Sequence, residues 1–281
     1  MTDHPLVSVI CLCYNHREFV EEAIESVLGQ TYPNVEIIVV DDASVDGSVD
    51  VIVSLLSRYP HVKFFKNEEN MGNCKSFNLA LENASGDFVI DLSADDILLP
   101  HRVEAGIKKL TTSGDEYGVQ FSDAILVNEM GQEIGLHSDR FPHDTVPTGY
   151  IYKEIVSRYF ICSPTMMMRR GLLQQLGGYD ETLAYEDFDF WVRSSRISKY
   201  TYIPEPLIKR RVLARSMVND QFKKGSKQLV STFRVCEKIK QLNQTSEDQK
   251  AWRGRVWYEI RVCFRLMDFA LAFRYLKLLI R

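Results

Sequence analysis

Two adjacent carboxylates, Asp95 and Asp96, end the apolar run Phe88-Val89-Ile90-Asp91-Leu92, and Pro100 closes the loop behind them. Side-by-side carboxylates repel each other, and a divalent cation with a diphosphate relieves that repulsion. The alternative is an exposed turn in which Asp95 caps the following helix. A second acidic pair, Glu186-Asp187, opens an aromatic-rich helical pattern shortly after Gly177-Gly178-Tyr179-Asp180. The helix dipole favours an ionised carboxylate there, either as a cap or as a general base that takes a proton from an attacking hydroxyl. A third candidate is Asp42. An acid after the second strand of such a sheet can accept a ring N–H or a ribose hydroxyl of a nucleotide, or can simply open a turn.

These residues need a scaffold that brings them together. Leu6–Leu12, Val35–Val40, Val62–Phe65 and Phe88–Leu92 read as buried strands. Between them, Arg17–Gly29, Ser48–Tyr59 (Asp46 as cap) and Lys75–Glu82 carry helical spacing, followed by Arg102–Thr111. Continuous apolar strands alternating with amphipathic helices mean a mostly parallel sheet covered on both faces. Ligands bind such sheets at the carboxyl ends of the strands, where Tyr14-Asn15, Asp41-Asp42 and Asp95-Asp96 converge. Val119–Val127 and Glu133–His137 form an expected hairpin, Tyr159–Met168 a strand and Glu186–Arg196 a helix. No G-x-G-x-x-G follows the first strand and no G-x-x-x-x-G-K occurs, which disfavours a dinucleotide fold or a P-loop.

The net charge of −4 hides an asymmetry: residues 1–205 carry 16 basic against 32 acidic side chains, residues 206–281 carry 18 against 6. A basic tail either docks on the acidic part or meets something anionic. Aromatic and basic residues interleave over Trp252–Arg281, a pattern that fits a membrane-surface helix, a helix packed on the main domain, or a dimer contact. No signal-peptide pattern and no membrane-spanning run is read, so a cytoplasmic location is expected, with peripheral contact at the inner face of the membrane. The six cysteines match no zinc spacing and read as reduced thiols. Nucleic-acid binding finds no module in the chain.

Five motifs stand in order: Val7-Ser8-Val9-Ile10 to Tyr14-Asn15; Gln30 through Asp41-Asp42 to Gly47-Ser48; Asn70-Met71-Gly72 to Asn78; Ser93-Ala94-Asp95-Asp96; and Glu186-Asp187. The set resembles the family 2 glycosyltransferases over about residues 6–215. The resemblance implies an α/β fold of the GT-A type: a nucleotide-sugar-binding, mostly parallel sheet flanked by helices, catalytic over residues 1–215, with a helical basic extension over 216–281. It implies an inverting, metal-dependent transfer of a sugar from a nucleotide-sugar, expected to be a UDP-sugar, to an acceptor hydroxyl in cell-surface polysaccharide or glycan synthesis. By the same resemblance Asp187 is the base and Glu186 positions donor or acceptor. Asp95 ligates Mn²⁺ or Mg²⁺, Asp96 lies near the ribose or donor sugar, and Asp42, with Tyr14 nearby, binds the nucleobase. Leu12, Lys75 and Arg211 complete the expected nucleotide-sugar contacts, and Ser163-Pro164-Thr165 lines the acceptor side, where a glycan or lipid-linked glycan is expected.

Two positions depart from the family pattern. Ser93 replaces the first aspartate of D-x-D, and Leu213 stands where some relatives carry a metal-binding histidine. Arg211 and Arg215 are expected to clamp the diphosphate by bidentate contacts instead, or to belong to a solvated basic loop. The competing readings are a nucleotide-sugar-binding protein without transferase activity and a nucleotidyltransferase. The latter needs a Gly-rich basic loop after the first strand that this chain lacks.

Overall fold

The β-branched, wholly apolar runs form the centre of the sheet. In the computed structural model, which describes residues 4–141, 146–213 and 223–280, β1 (Val7–Cys13) is buried along its whole length. It pairs in parallel with β2 (Val35–Asp41) on one side and β4 (Phe88–Ser93) on the other. β3 (Lys63–Lys66) extends the parallel half beyond β2. The order across the sheet is β3-β2-β1-β4-β8-β6-β9-β5, with β7 (Glu133–Leu136) paired to β6.

α1 (Val20–Leu28), α2 (Ser48–Leu56) and α4 (Arg102–Ser113) bury their apolar sides with Val9, Cys11, Cys13 and Val39 on one face. α3 (Asn73–Glu82) and α7 (Asp187–Ser194) cover Ile10, Leu12, Ile38 and Val40 on the other. All six cysteines are free and buried. The N-cap of α2 is Gly47 (φ 92°) and not the expected Asp46, whose carboxylate accepts from the Ser48 N–H at 2.9 Å just ahead of the helix.

The second half is less parallel than the sequence suggests. β8 (Met167–Arg169) runs antiparallel to both β4 and β6 (Tyr117–Val127), and the two-residue β5 (Ile97–Leu98) runs antiparallel to β9. The strand expected over Tyr159–Met168 is corrected: Pro164 turns the chain into a 3-10 turn at Ser163–Thr165, and only Met167–Arg169 pairs. The sequence reading missed β9 (Lys199–Arg211) because it contains Pro204 and Pro206. β9 accommodates them where its register to β6 slips between Ser122 and Asp123, the bulged situation in which a strand tolerates proline. α5 (Tyr152–Ser157) and α6 (Arg170–Gln175) were also unforeseen.

The tail forms α8 (Lys227–Leu242), α9 (Ser246–Arg265) and α10 (Phe269–Ile280). The tail packs on the main part through ion pairs of both polarities, Lys238 being the tail's cation and Glu247 and Asp248 the tail's acids. Lys238 bridges Asp180 and Asp189 at 2.5 Å each, Lys153 pairs with Glu247 at 2.6 Å, and Arg196 pairs with Asp248. Trp252 is buried and donates its indole N–H to the Cys236 carbonyl at 2.8 Å. Among the described residues no helix is long and apolar enough to cross a membrane.

Candidate active site

The ends of β1 and β2 are stitched together first. Asn15 and Ala43 adopt positive φ (57° and 61°), which lets Asn15 accept from the Val45 N–H and receive Ser44 Oγ at its own N–H, both at 2.9 Å. Asp42 follows β2 and is buried. Its carboxylate accepts from Asn67 Nδ2, Met71 N and Gly72 N, each at 2.8 Å. It thus anchors the Asn70-Met71-Gly72 loop and leaves only its remaining lone pairs for a ligand. Leu12 is buried beside Ile10, Tyr14 projects at the end of β1, and Lys75 is exposed on α3.

At the end of β4 the two aspartates differ. Ser93 Oγ donates to Asp95 Oδ1. Asp96 is buried and accepts from the Arg211 N–H at 2.8 Å. Burial, then the neighbouring Asp95 charge, push its carboxyl well above the ordinary range. Sequence reasoning missed His16, whose Nδ1 is buried without a hydrogen-bond partner among the described residues and lies 4.0 Å from Asp95 Oδ1. Among the described residues no cluster of three or more metal-ligating side chains exists. A carboxylate facing an orphaned imidazole nitrogen nevertheless fits a divalent cation that arrives with substrate phosphates, since such ions often take one or two protein groups and fill the remaining positions with phosphate and water. Asp95 and His16 are the residues that would hold it.

Arg211 is tied into the fold. Its guanidinium donates to Glu22 (2.9 Å), the Asp95 carbonyl (3.1 Å) and the carbonyls of Asn128 (3.3 Å) and Glu129 (3.2 Å), and stacks 4.5 Å from the Phe19 ring. Four of its five N–H groups are committed to the fold. It is the clip between β9, α1 and the Asp95-Asp96 loop. Arg210, which the sequence reading passed over, lies on the other side of the strand, and its positive charge partly offsets the upward shift that burial imposes on Asp187, Asp96 and Cys162. No hydrogen bond or ion pair holds its guanidinium among the described residues. Arg215 lies outside the described residues.

Glu186-Asp187 lies across this cation, at the N-terminus of α7. Ser163 Oγ donates to Asp187 Oδ1, and Asn73 Nδ2 donates to Glu186 Oε2 at 2.6 Å. Burial and then the Asp187 charge raise Glu186 strongly. Burial also raises Asp187, opposed by hydrogen bonds from Glu186 and Ser163 and by Arg210. Both carboxyls of the pair are thus raised above the ordinary range. Asp91, on β4 beneath them, accepts from Tyr179 OH at 3.1 Å, and burial pushes it up to about 7. Gly178 (φ 73°) permits the turn that presents Tyr179, which Asn78 grips at both its N–H and its carbonyl (2.9 Å each).

The Ser163 turn has its own support. Fully buried Arg102 donates to the Thr165 carbonyl at 2.6 Å and to Gln120 at 3.0 Å, while Thr165 Oγ1 accepts from the Ser122 N–H at 3.1 Å. A cavity of ≈ 690 Å³ between α5 and α9, lined by Lys153, Arg158, Lys250 and Arg255 among others, stands apart from this cleft.

The profile of the glycosyl transferase family 2 matches residues 8–177. An uncharacterised glycosyltransferase of Methanocaldococcus jannaschii is 31% identical over 229 residues, which are 79% of this chain and 76% of that one. Two solved structures share the fold at 18% identity. One is the mannosyltransferase PcManGT of Pyrobaculum calidifontis in complex with GDP-Man and Mn²⁺ (TM-score 0.68, covering 96% of this chain and 74% of that one). The other is S. aureus TarS in complex with UDP-GlcNAc (TM-score 0.67, 93% and 71%). The curled, mostly parallel sheet with flanking helices is the GT-A fold, and the chain belongs to glycosyl transferase family 2.

Proposed function

We propose that this transferase moves a sugar from a nucleoside-diphosphate sugar to an acceptor hydroxyl by one displacement, inverting the anomeric carbon. The observation that carries the reading is the placement of Asp187, at the N-terminus of α7 beside Glu186 with its carboxyl held by Ser163. Asp187 takes the proton of the acceptor hydroxyl as that oxygen attacks the anomeric carbon, and the bond to the diphosphate oxygen breaks on the opposite side. Arg210 offsets the negative charge that collects on the departing diphosphate. A divalent cation, Mn²⁺ or Mg²⁺ held by Asp95 with His16, supplies Lewis-acid stabilisation of the same leaving group when bound. Asp42 and Tyr14 flank the nucleobase, and Asp96 lies toward the ribose or donor sugar.

UDP-sugar is the proposed donor, a glycan or lipid-linked glycan the proposed acceptor, and cell-surface polysaccharide synthesis the proposed setting. The GDP-Man and UDP-GlcNAc complexes of the structural neighbours keep both nucleotides in view. Division at about residue 215 into a catalytic domain and a helical extension is part of the same proposal. Calorimetric titration with UDP and GDP, with and without Mn²⁺, is the test. Metal-dependent UDP binding that disappears in Asp95→Ala is the expected result. A metal-dependent preference for GDP would change the donor, and absence of nucleotide binding by folded protein would overturn the reading.

A further inference from the structure

The C-terminal hairpin has two chemically different sides. Its inner side is core: Trp252, Val256, Ile260 and Cys263 of α9 and Leu271, Ala272 and Tyr275 of α10 are buried. Its outer side carries Trp257, Phe264, Met267, Phe269 and Phe273, each between 48% and 64% exposed. Every exposed Trp or Phe among the described residues lies on this hairpin. The rings form one surface across the turn, since Phe264 and Phe269 meet edge to face at 5.8 Å. Met267, at positive φ (54°), sits at the tip.

The charge on that side is of one sign. Arg253, Arg261, Arg265 and Lys277 are all exposed. The two acids between residues 250 and 280 do not offset them: Glu259 is buried against Arg255, and half-buried Asp268 caps α10 through the Leu271 N–H. On α9 the exposed positions 253, 257, 261 and 264 recur at three- and four-residue spacing, so cations and rings share one stripe.

We propose that the outer face of the α9–α10 hairpin docks on an anionic lipid surface, with the rings entering the headgroup boundary and the arginines and lysines meeting lipid phosphates. Large apolar side chains kept in water are costly unless something covers them, and rings interleaved with basic groups suit the interface plane. Charge complementarity selects the occupant. A second copy seated symmetrically on this face would set these cations against the same cations, which disfavours a dimer. The proposal does not depend on the donor chemistry, because it is read by lipid binding and not by turnover.

The test is sedimentation of the full-length protein with vesicles of phosphatidylcholine alone or mixed with phosphatidylglycerol. Binding is expected only to the anionic vesicles, weakening with added salt, and either Arg261→Glu/Arg265→Glu or Phe264→Ser/Phe273→Ser should lower the partition coefficient at least about tenfold. Those side chains are exposed, so the melting temperature and nucleotide binding should be those of the parent. Failure of the parent to sediment with anionic vesicles overturns the proposal. So does equal binding by parent and variants, or a dimer in solution that the same substitutions dissociate.

Discussion

The cleft has an acidic pair on each side, and the two are built on different principles. Asp95-Asp96 is split: Asp96 is buried and committed to the backbone of β9 through the Arg211 N–H, while Asp95 stays at the cleft with His16 and Ser93. Glu186-Asp187 is held as a pair: burial raises both carboxyls, and side chains of α3 and the Ser163 turn hold them. Two carboxylates can be kept close by tying one to a backbone N–H of another strand or by holding both with side chains from separate elements.

Breaking the Glu186-Asp187 pair should have the largest effect. Asp187→Asn is expected to lower kcat by about 10²–10⁴-fold while nucleotide affinity stays within about threefold. Near-normal turnover in that variant would remove Asp187 as the base. The split pair should respond asymmetrically. Asp95→Ala should cost metal-dependent nucleotide affinity without loss of stability. Asp96→Ala should cost about 1–3 kcal/mol of stability, because the Arg211 N–H loses its buried partner, and denaturant titration reads the difference.

The neighbouring arginines sharpen the same contrast. Arg210→Gln should weaken UDP binding about tenfold, leave binding of uridine unchanged and leave the melting temperature where it is. Arg211→Gln should do the reverse, destabilising by about 2 kcal/mol or more as the bonds to Glu22 and three carbonyls are lost. If Arg211→Gln changed only affinity, its role as a clip would be wrong.

The smallest effects lie in pH. Activity should rise with pH through the raised carboxyl of Asp187, because only its ionised form accepts a proton. Ser163→Ala removes a bond to that ionised form and should move the limb upward. Asp91→Asn removes a like charge from the cluster and should move it downward. Asp91 also makes a stability prediction. Its carboxyl is raised from 3.8 to about 7, so the native state keeps a proton that the unfolded chain gives up between those values. The contribution is intact below the unfolded value and is lost as pH rises through the folded one. Asp91→Asn should therefore stabilise by about 1 kcal/mol near pH 8 and make no difference near pH 4, as thermal melts at the two pH values would show.

Much of this site was legible because its residues sit at strand and helix ends that local patterning marks. Val7–Cys13 and Val35–Asp41 announce themselves as buried strands by unbroken β-branched runs, and whatever follows them must emerge at the ligand edge. Misreadings fell where a local signal conflicted with a distant partner. Pro204 and Pro206 argue against a strand, yet the thirteen-residue β9 forms because its register to β6 slips to admit them. His16 looked like one polar residue in a turn until the fold set it against Asp95.

Sequence alone determined the fold class, the family and the two acidic pairs, since alternation, turn residues and ordered motifs are local properties carried by the chain itself. Tertiary structure decided which of two adjacent arginines is tied into the fold and which aspartate of Asp95-Asp96 is committed to the backbone of β9. It also decided that only the outer side of the basic tail remains uncovered. Those outcomes depend on desolvation and on charges brought within a few ångströms from distant parts of the chain, such as Glu22 against Arg211 and Asn73 against Glu186, and no local pattern records such distances.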